Sequence, residues 1–127
     1  MAHGAVRRLP NVRNAVIEER RIREYVLNPD HPAGGPKARF FIGHGFALDA
    51  WVLLRDSLIV HARGNTVTKS VSNEWGTRYT VECSCPTPDG RNPCIRTVWQ
   101  MEDGAPRLLT AIPLQLPTLR GVRDDAP

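Results

Sequence analysis

The apolar period changes once along this chain, near residue 65, and that change fixes its fold class. Before it, apolar residues recur at helical spacing: Ile22, Tyr25 and Val26 stand at i, i+3, i+4, and Trp51, Leu54, Leu58 and Ala62 fall on one side of a longer helix. After it, Thr66–Ser72, Thr77–Cys85, Cys94–Met101 and Arg107–Pro113 are strand-like, rich in β-branched residues and separated by turns holding Gly, Asp or Pro. Four such strands in succession predict an antiparallel meander. Helices first and strands after give an α+β domain, with N-terminal helices packed on one face of a four-stranded antiparallel β-meander.

Local signals set the boundaries. Ala15–Ile17 reads as a short extended lead-in. A helix over Glu18–Leu27 has acids at its positive end and stops at Asn28-Pro29, because a residue preceding proline is pushed out of the α region. A second helix starts at Pro36 and runs through Phe40 and Phe41, its core anchors, toward a Gly43 or Gly45 stop. Asp49 is the expected cap of a third, to about Arg63. The chain divides into a flexible N-terminus at 1–8, one domain over 9–113 and a Pro-rich tail at 114–127.

A chain of 127 residues, 41% apolar and 24% charged, can bury a core without metal or disulfide staples. It has no apolar run of membrane-spanning length and no signal-peptide stretch after its initial Met, so a complete cytoplasmic gene product is expected. Three cysteines are an odd count, and Cys-x-Cys with one distant partner lacks structural-zinc spacing. A hairpin turning at Asp89-Gly90 would set Cys85 opposite Cys94; reduced thiols and no metal are expected. His44 and His61 have no evident partner and read as packing or surface. The net charge of +4 suits a polyanion such as RNA without demanding one.

The loop Asn28-Pro-Asp-His-Pro-Ala-Gly-Gly-Pro-Lys37 is the first candidate for chemistry. Gly34-Gly35 allows close approach of a ligand to backbone and leads into a helix N-terminus, which favours an anion. His31 brings an imidazole, a side chain suited to general acid–base work, and Lys37 can sit on a phosphate oxygen. All 17 basic side chains except Lys37 and Lys69 are arginines, which marks out a lysine kept at 37. The sheet offers a second set: Arg78, Arg96 and Arg107 on successive strands, with Thr97, Trp99 and Thr110. Arginines on an open face could hold phosphate and an aromatic could stack on a base. Alternation puts Arg96 and Thr97 on opposite faces, so only part of this set can share one site.

Leu9-Pro-Asn11, the string from Tyr25 through His31-Pro-Ala-Gly-Gly-Pro-Lys37-Ala38, Phe40-Phe41 with Gly45-Phe46, Arg96-Thr-Val-Trp99 and Pro106–Pro113 together resemble an uncharacterised bacterial toxin-associated domain. That domain occurs in short stand-alone proteins and at the C-termini of large toxins. The resemblance spans Leu9 to Pro113, and the order of elements is similar to the barnase–EndoU–colicin–RelE group of ribonucleases. It implies metal-independent, cofactor-free RNA cleavage: the ribose 2′-OH attacks the adjacent phosphate, a base takes its proton and an acid protonates the leaving oxygen. Carried over, His31 is base or acid, Lys37 steadies the phosphate with Arg78 or Arg96, and Thr97 or Thr110 hydrogen-bonds the substrate. Gly34, Gly35, Trp99 and Arg107 complete the contacts. The strand glutamate expected of barnase-like enzymes has only Glu82 as a counterpart, outside the matched motifs. The implied partners are tRNA or mRNA as substrate and a small acidic antitoxin or immunity protein. The rival expectations are a non-catalytic binding module, antitoxin-like, immunity-like or RNA-binding, and a small-molecule enzyme using the Gly-Gly loop for phosphate.

Overall fold

The computed structural model describes residues 8–114. The expected N-terminal arm and C-terminal tail lie almost wholly outside these. Helix α1 opens as one α-helical turn, Glu19–Arg21, and widens into a π-helical turn, Ile22–Val26. Its signature is the Leu27 N–H donating to the Ile22 carbonyl at 2.8 Å. The wider turn lets Val26 and Leu27, adjacent in sequence, both reach the core. Helix α2 is Gly35–Gly43, with proline in its first turn, and α3 is Trp51–Gly64. Asp49 sits in a short 3-10 turn ahead of α3, and its side chain makes no cap bond.

The strands are β1 Val67–Asn73, β2 Gly76–Ser84, β3 Cys94–Glu102 and β4 Ala105–Pro113, in spatial order β1-β2-β3-β4 and antiparallel throughout. The expected meander is present. The lead-in near Val16 bridges β4 in parallel at Arg107: Val16 N–H donates to the Pro106 carbonyl at 2.8 Å, and Leu108 N–H to the Val16 carbonyl at 3.0 Å. This covers part of the β4 edge.

The helices cover one face of the sheet. Ile22, Val26, Leu27, Phe41, Leu54 and Leu58 pack against Val81, Ile95, Trp99, Leu108 and Ala111, all fully buried. The opposite face is open. Lys69, Val71, Arg78, Thr80, Glu82, Arg96 and Val98 line a single groove there, with a volume of about 590 Å³. The two periods seen in the sequence are therefore the two layers of the domain.

A polar chain crosses the core. Trp99 Nε1 donates to Thr97 Oγ1 at 2.8 Å, and Thr97 Oγ1 meets His61 Nε2 at 2.9 Å. His61 Nδ1 lies 3.1 and 3.2 Å from the Cys83 and Ser84 carbonyls, which only accept, so it carries the ring proton. Burial disfavours the charged ring, and Nε2 of the neutral form accepts from the Thr97 hydroxyl. His61 ties α3 to β2 and β3, a role its position in the sequence did not reveal. The expectation of reduced thiols is overturned: Cys83 is bonded to Cys94 as a disulfide, and Cys85 is the free thiol. β2 and β3 pair Ser84 with Cys94 and Cys83 with Ile95, so Cys85 stands just beyond the paired strand. Cys85 is buried, and burial pushes its thiol up to about 12.

Candidate functional site

The loop and the sheet meet at one phenol. Tyr25, in the π turn, is half-buried, and its hydroxyl accepts from Lys37 Nζ at 3.1 Å and lies 3.5 Å from Thr110 Oγ1. The Thr110 hydroxyl first, and then the Lys37 ammonium, hold the phenol below its ordinary value, against a smaller opposing effect of burial. Lys37 Nζ also lies 5.6 Å from the centroid of the same ring. The His31 ring stands edge-on to it, with centroids 4.9 Å apart and planes at 86°. Tyr25, His31, Lys37 and Thr110 thus form one cluster.

Each member is fixed by local chemistry. His31 Nδ1 accepts from the backbone N–H of Ala33 at 3.0 Å and of Gly34 at 2.9 Å. Its carbonyl accepts from Gly35 N–H at 2.9 Å. The side chain therefore takes up two N–H groups of the turn that leads into α2. A neutral ring held this way carries its proton on Nε2 and presents a donor.

Gly34 and Gly35 are buried, and neither has a positive φ. What they provide is closeness. A Cβ at Gly34 would lie 3.0 Å from the Tyr25 ring, and one at Gly35 would lie 2.5 Å from the Pro29 carbonyl oxygen. The pair lets α2 start tight against the tyrosine, which sets Lys37 within reach of the hydroxyl.

The other sequence candidates are dispersed. Thr97 and Trp99 are fully buried in the core chain and are out of reach of a surface ligand. Arg78 and Arg96 lie on the open face; Arg96 pairs with Glu82 at 2.7 Å, and Arg78 Nε reaches Gln100 Oε1 at 3.4 Å. Arg107 is held between Glu18 at 3.0 Å and Glu102 at 2.8 Å. The sheet residue bonded to the cluster is therefore Thr110, through Tyr25, and not an arginine. Thr110 is the cross-strand partner of Val98, which lines the open groove, so cluster and groove share a face of the sheet.

Tyr25 is the residue that sequence reasoning passed over. Its i+3 spacing from Ile22 put it with the core, although it opens the string matched by resemblance. Among the described residues, no group of three or more His, Cys, Asp or Glu side chains is placed to hold a metal ion. Among them too, no helix is long and apolar enough to cross a membrane.

These features define a small α+β domain in which Tyr25 of α1, His31 of the following loop and Lys37 of α2 form a group beside an edge strand. The chain belongs to the DUF6883 family, described as a domain of unknown function, which it matches over residues 8–115. No curated protein matches it. Its fold is similar to a chain of a contact-dependent growth inhibition toxin–immunity protein complex from Klebsiella pneumoniae 342. The TM-score is 0.64 at 18% identity, covering 82% of this chain and 97% of the other. At that identity the likeness is one of fold.

Proposed function

We propose that this chain is the toxin of a toxin–antitoxin or toxin–immunity pair, an endoribonuclease that cleaves tRNA or mRNA without a metal. The observation that carries the reading is the Tyr25 hydroxyl, receiving a hydrogen bond from Lys37 beside Thr110 and held below its ordinary value. In that setting the phenolate form of Tyr25, favoured by the two donors, is the base that takes the proton of the ribose 2′-OH and becomes the phenol. Lys37 faces the charge that grows on the phosphate as the 2′-oxygen attacks, and His31 Nε2–H is a second donor to it. Thr110 orients the phenol. The 2′-oxygen bonds to phosphorus, the bond to the 5′-oxygen breaks, and the leaving oxygen takes a proton from Lys37 or solvent. The products are a 2′,3′-cyclic phosphate and a free 5′-hydroxyl. The fold likeness to a chain of a toxin–immunity complex supports a toxin-system setting, and a small acidic protein would complement the net charge of +4.

A second reading is an immunity-like or antitoxin-like binding protein. It is favoured by the ion pairs that already engage Arg96 and Arg107. Expression in bacteria separates the two. The toxin reading expects the chain to arrest growth and Tyr25→Phe or Lys37→Ala to relieve the arrest. A harmless chain that protects cells from a neighbouring gene product establishes the binding reading instead.

A further inference from the structure

Trp75 has no evident use in the core or in the Tyr25 cluster. It sits at the tip of the β1–β2 hairpin and is 75% exposed, far more than any other large apolar side chain among the described residues. A solvent-facing indole at this level is unusual for a residue type that is mostly buried. The turn beneath it is built. Asn73 Oδ1 accepts from the Trp75 N–H at 2.8 Å, and Gly76 takes a φ of 123°, closed to most side chains. Gln100, 5% exposed, has its Nε2 3.4 Å from both the Trp75 and Thr77 carbonyls, while its Oε1 accepts from Arg78 Nε at the same distance. One buried amide thus couples the turn carrying the indole to an arginine of the open groove.

The charge of that groove completes the picture. Lys69, Arg78 and Arg96 line it against a single acid, Glu82, which Arg96 already engages. Asn73, beside the turn, lines it too. Thr80, Val98 and Thr110 pair across three strands, so the face runs from below Trp75 to the strand that Tyr25 touches. At about 3.3 Å per strand residue and about 4.8 Å between strands, the diagonal from Trp75 to Thr110 is roughly 19 Å. A flat cationic track with an aromatic at one end fits a single-stranded polynucleotide, whose phosphates follow the cations while a base stacks on the ring. We infer that Trp75 is a base-stacking residue that, with Lys69 and Arg78, holds a single RNA strand across the open sheet face toward the Tyr25 cluster. This rests on the ribonuclease reading for its substrate, but binding can be measured without cleavage.

The test uses a short, dye-labelled single-stranded 2′-O-methyl RNA, which has no 2′-OH to react, and follows its fluorescence anisotropy with the full chain at low salt. Wild type binds, Trp75→Ala binds about tenfold more weakly, Trp75→Phe recovers most of the loss, and Lys69→Ala with Arg78→Ala flattens the salt dependence. Unchanged thermal melting of Trp75→Ala confirms that the exposed position is not needed for folding. Equal binding by wild type and Trp75→Ala overturns the inference, as does failure of wild type to bind. So does a Trp75→Ala defect confined to binding a protein partner. Binding of the expected pattern without cleavage of natural RNA upholds the strand-binding face and removes the ribonuclease reading.

Discussion

Replacing Thr97 with valine keeps the shape of a fully buried side chain and deletes the middle of the core polar chain. The Trp99 Nε1–H loses its acceptor at 2.8 Å, and His61 Nε2 loses its donor at 2.9 Å. Neither has a second partner among the described contacts, and both residues are buried too deeply for water to substitute. Leaving a buried donor or acceptor unpaired costs about 1–3 kcal/mol, so two give a loss of about 3 kcal/mol, offset slightly by the better burial of a methyl group. For a domain of this size that lowers the melting temperature by roughly 10 °C. Urea denaturation followed by far-UV circular dichroism reads the change as a shift in midpoint at constant slope. A loss under about 1 kcal/mol would refute the reasoning, because the two hydrogen bonds could not then both be present in the folded chain.

The same histidine gives a pH dependence. Burial lowers its folded value, so the unfolded chain takes up the proton first as pH falls through about 6.5. Its contribution is present above that pH and is lost progressively below it; His61→Gln should flatten the stability profile between about pH 6.5 and 5. Gly35→Ala drives a Cβ against the Pro29 carbonyl oxygen and should cost about 1–3 kcal/mol in urea midpoint, whereas Gly34→Ala meets the edge of a ring that can move and should cost less. Reducing the Cys83–Cys94 bond, which spans 11 residues, should cost about 2–3 kcal/mol, seen as a lower midpoint with dithiothreitol than without.

The layer architecture was legible because each period leaves its mark in every element: Leu54, Leu58 and Ala62 are buried together, as are Ile95, Thr97 and Trp99 two residues apart. Alternation also told that Arg96 and Thr97 face opposite ways, but not which face the helices cover. That depends on how Ile22, Val26 and Phe41 pack, a property of three dimensions. The widened turn at Ile22–Val26 has no sequence signature, so Tyr25 counted as an ordinary core position. Likewise, reduced thiols were expected, with a hairpin turning at Asp89-Gly90 setting Cys85 opposite Cys94, whereas β2 ends at Ser84, which pairs with Cys94, and Cys83 is bonded to Cys94. The glycine pair does provide closeness, of Gly34 to the Tyr25 ring and of Gly35 to the Pro29 carbonyl, contacts that the spacing alone did not name.

The central proposal is that the Tyr25 phenolate, steadied by Lys37, takes a proton from the ribose 2′-OH of RNA. The direct measurement is cleavage of total tRNA and of mRNA by purified chain in EDTA, with end-group analysis of the products. Wild type should leave 2′,3′-cyclic phosphates, and Tyr25→Phe, which keeps the ring and removes the hydroxyl, should slow cleavage by about a hundredfold or more. Cleavage by Tyr25→Phe at the wild-type rate, or no cleavage of either RNA by wild type, would contradict it.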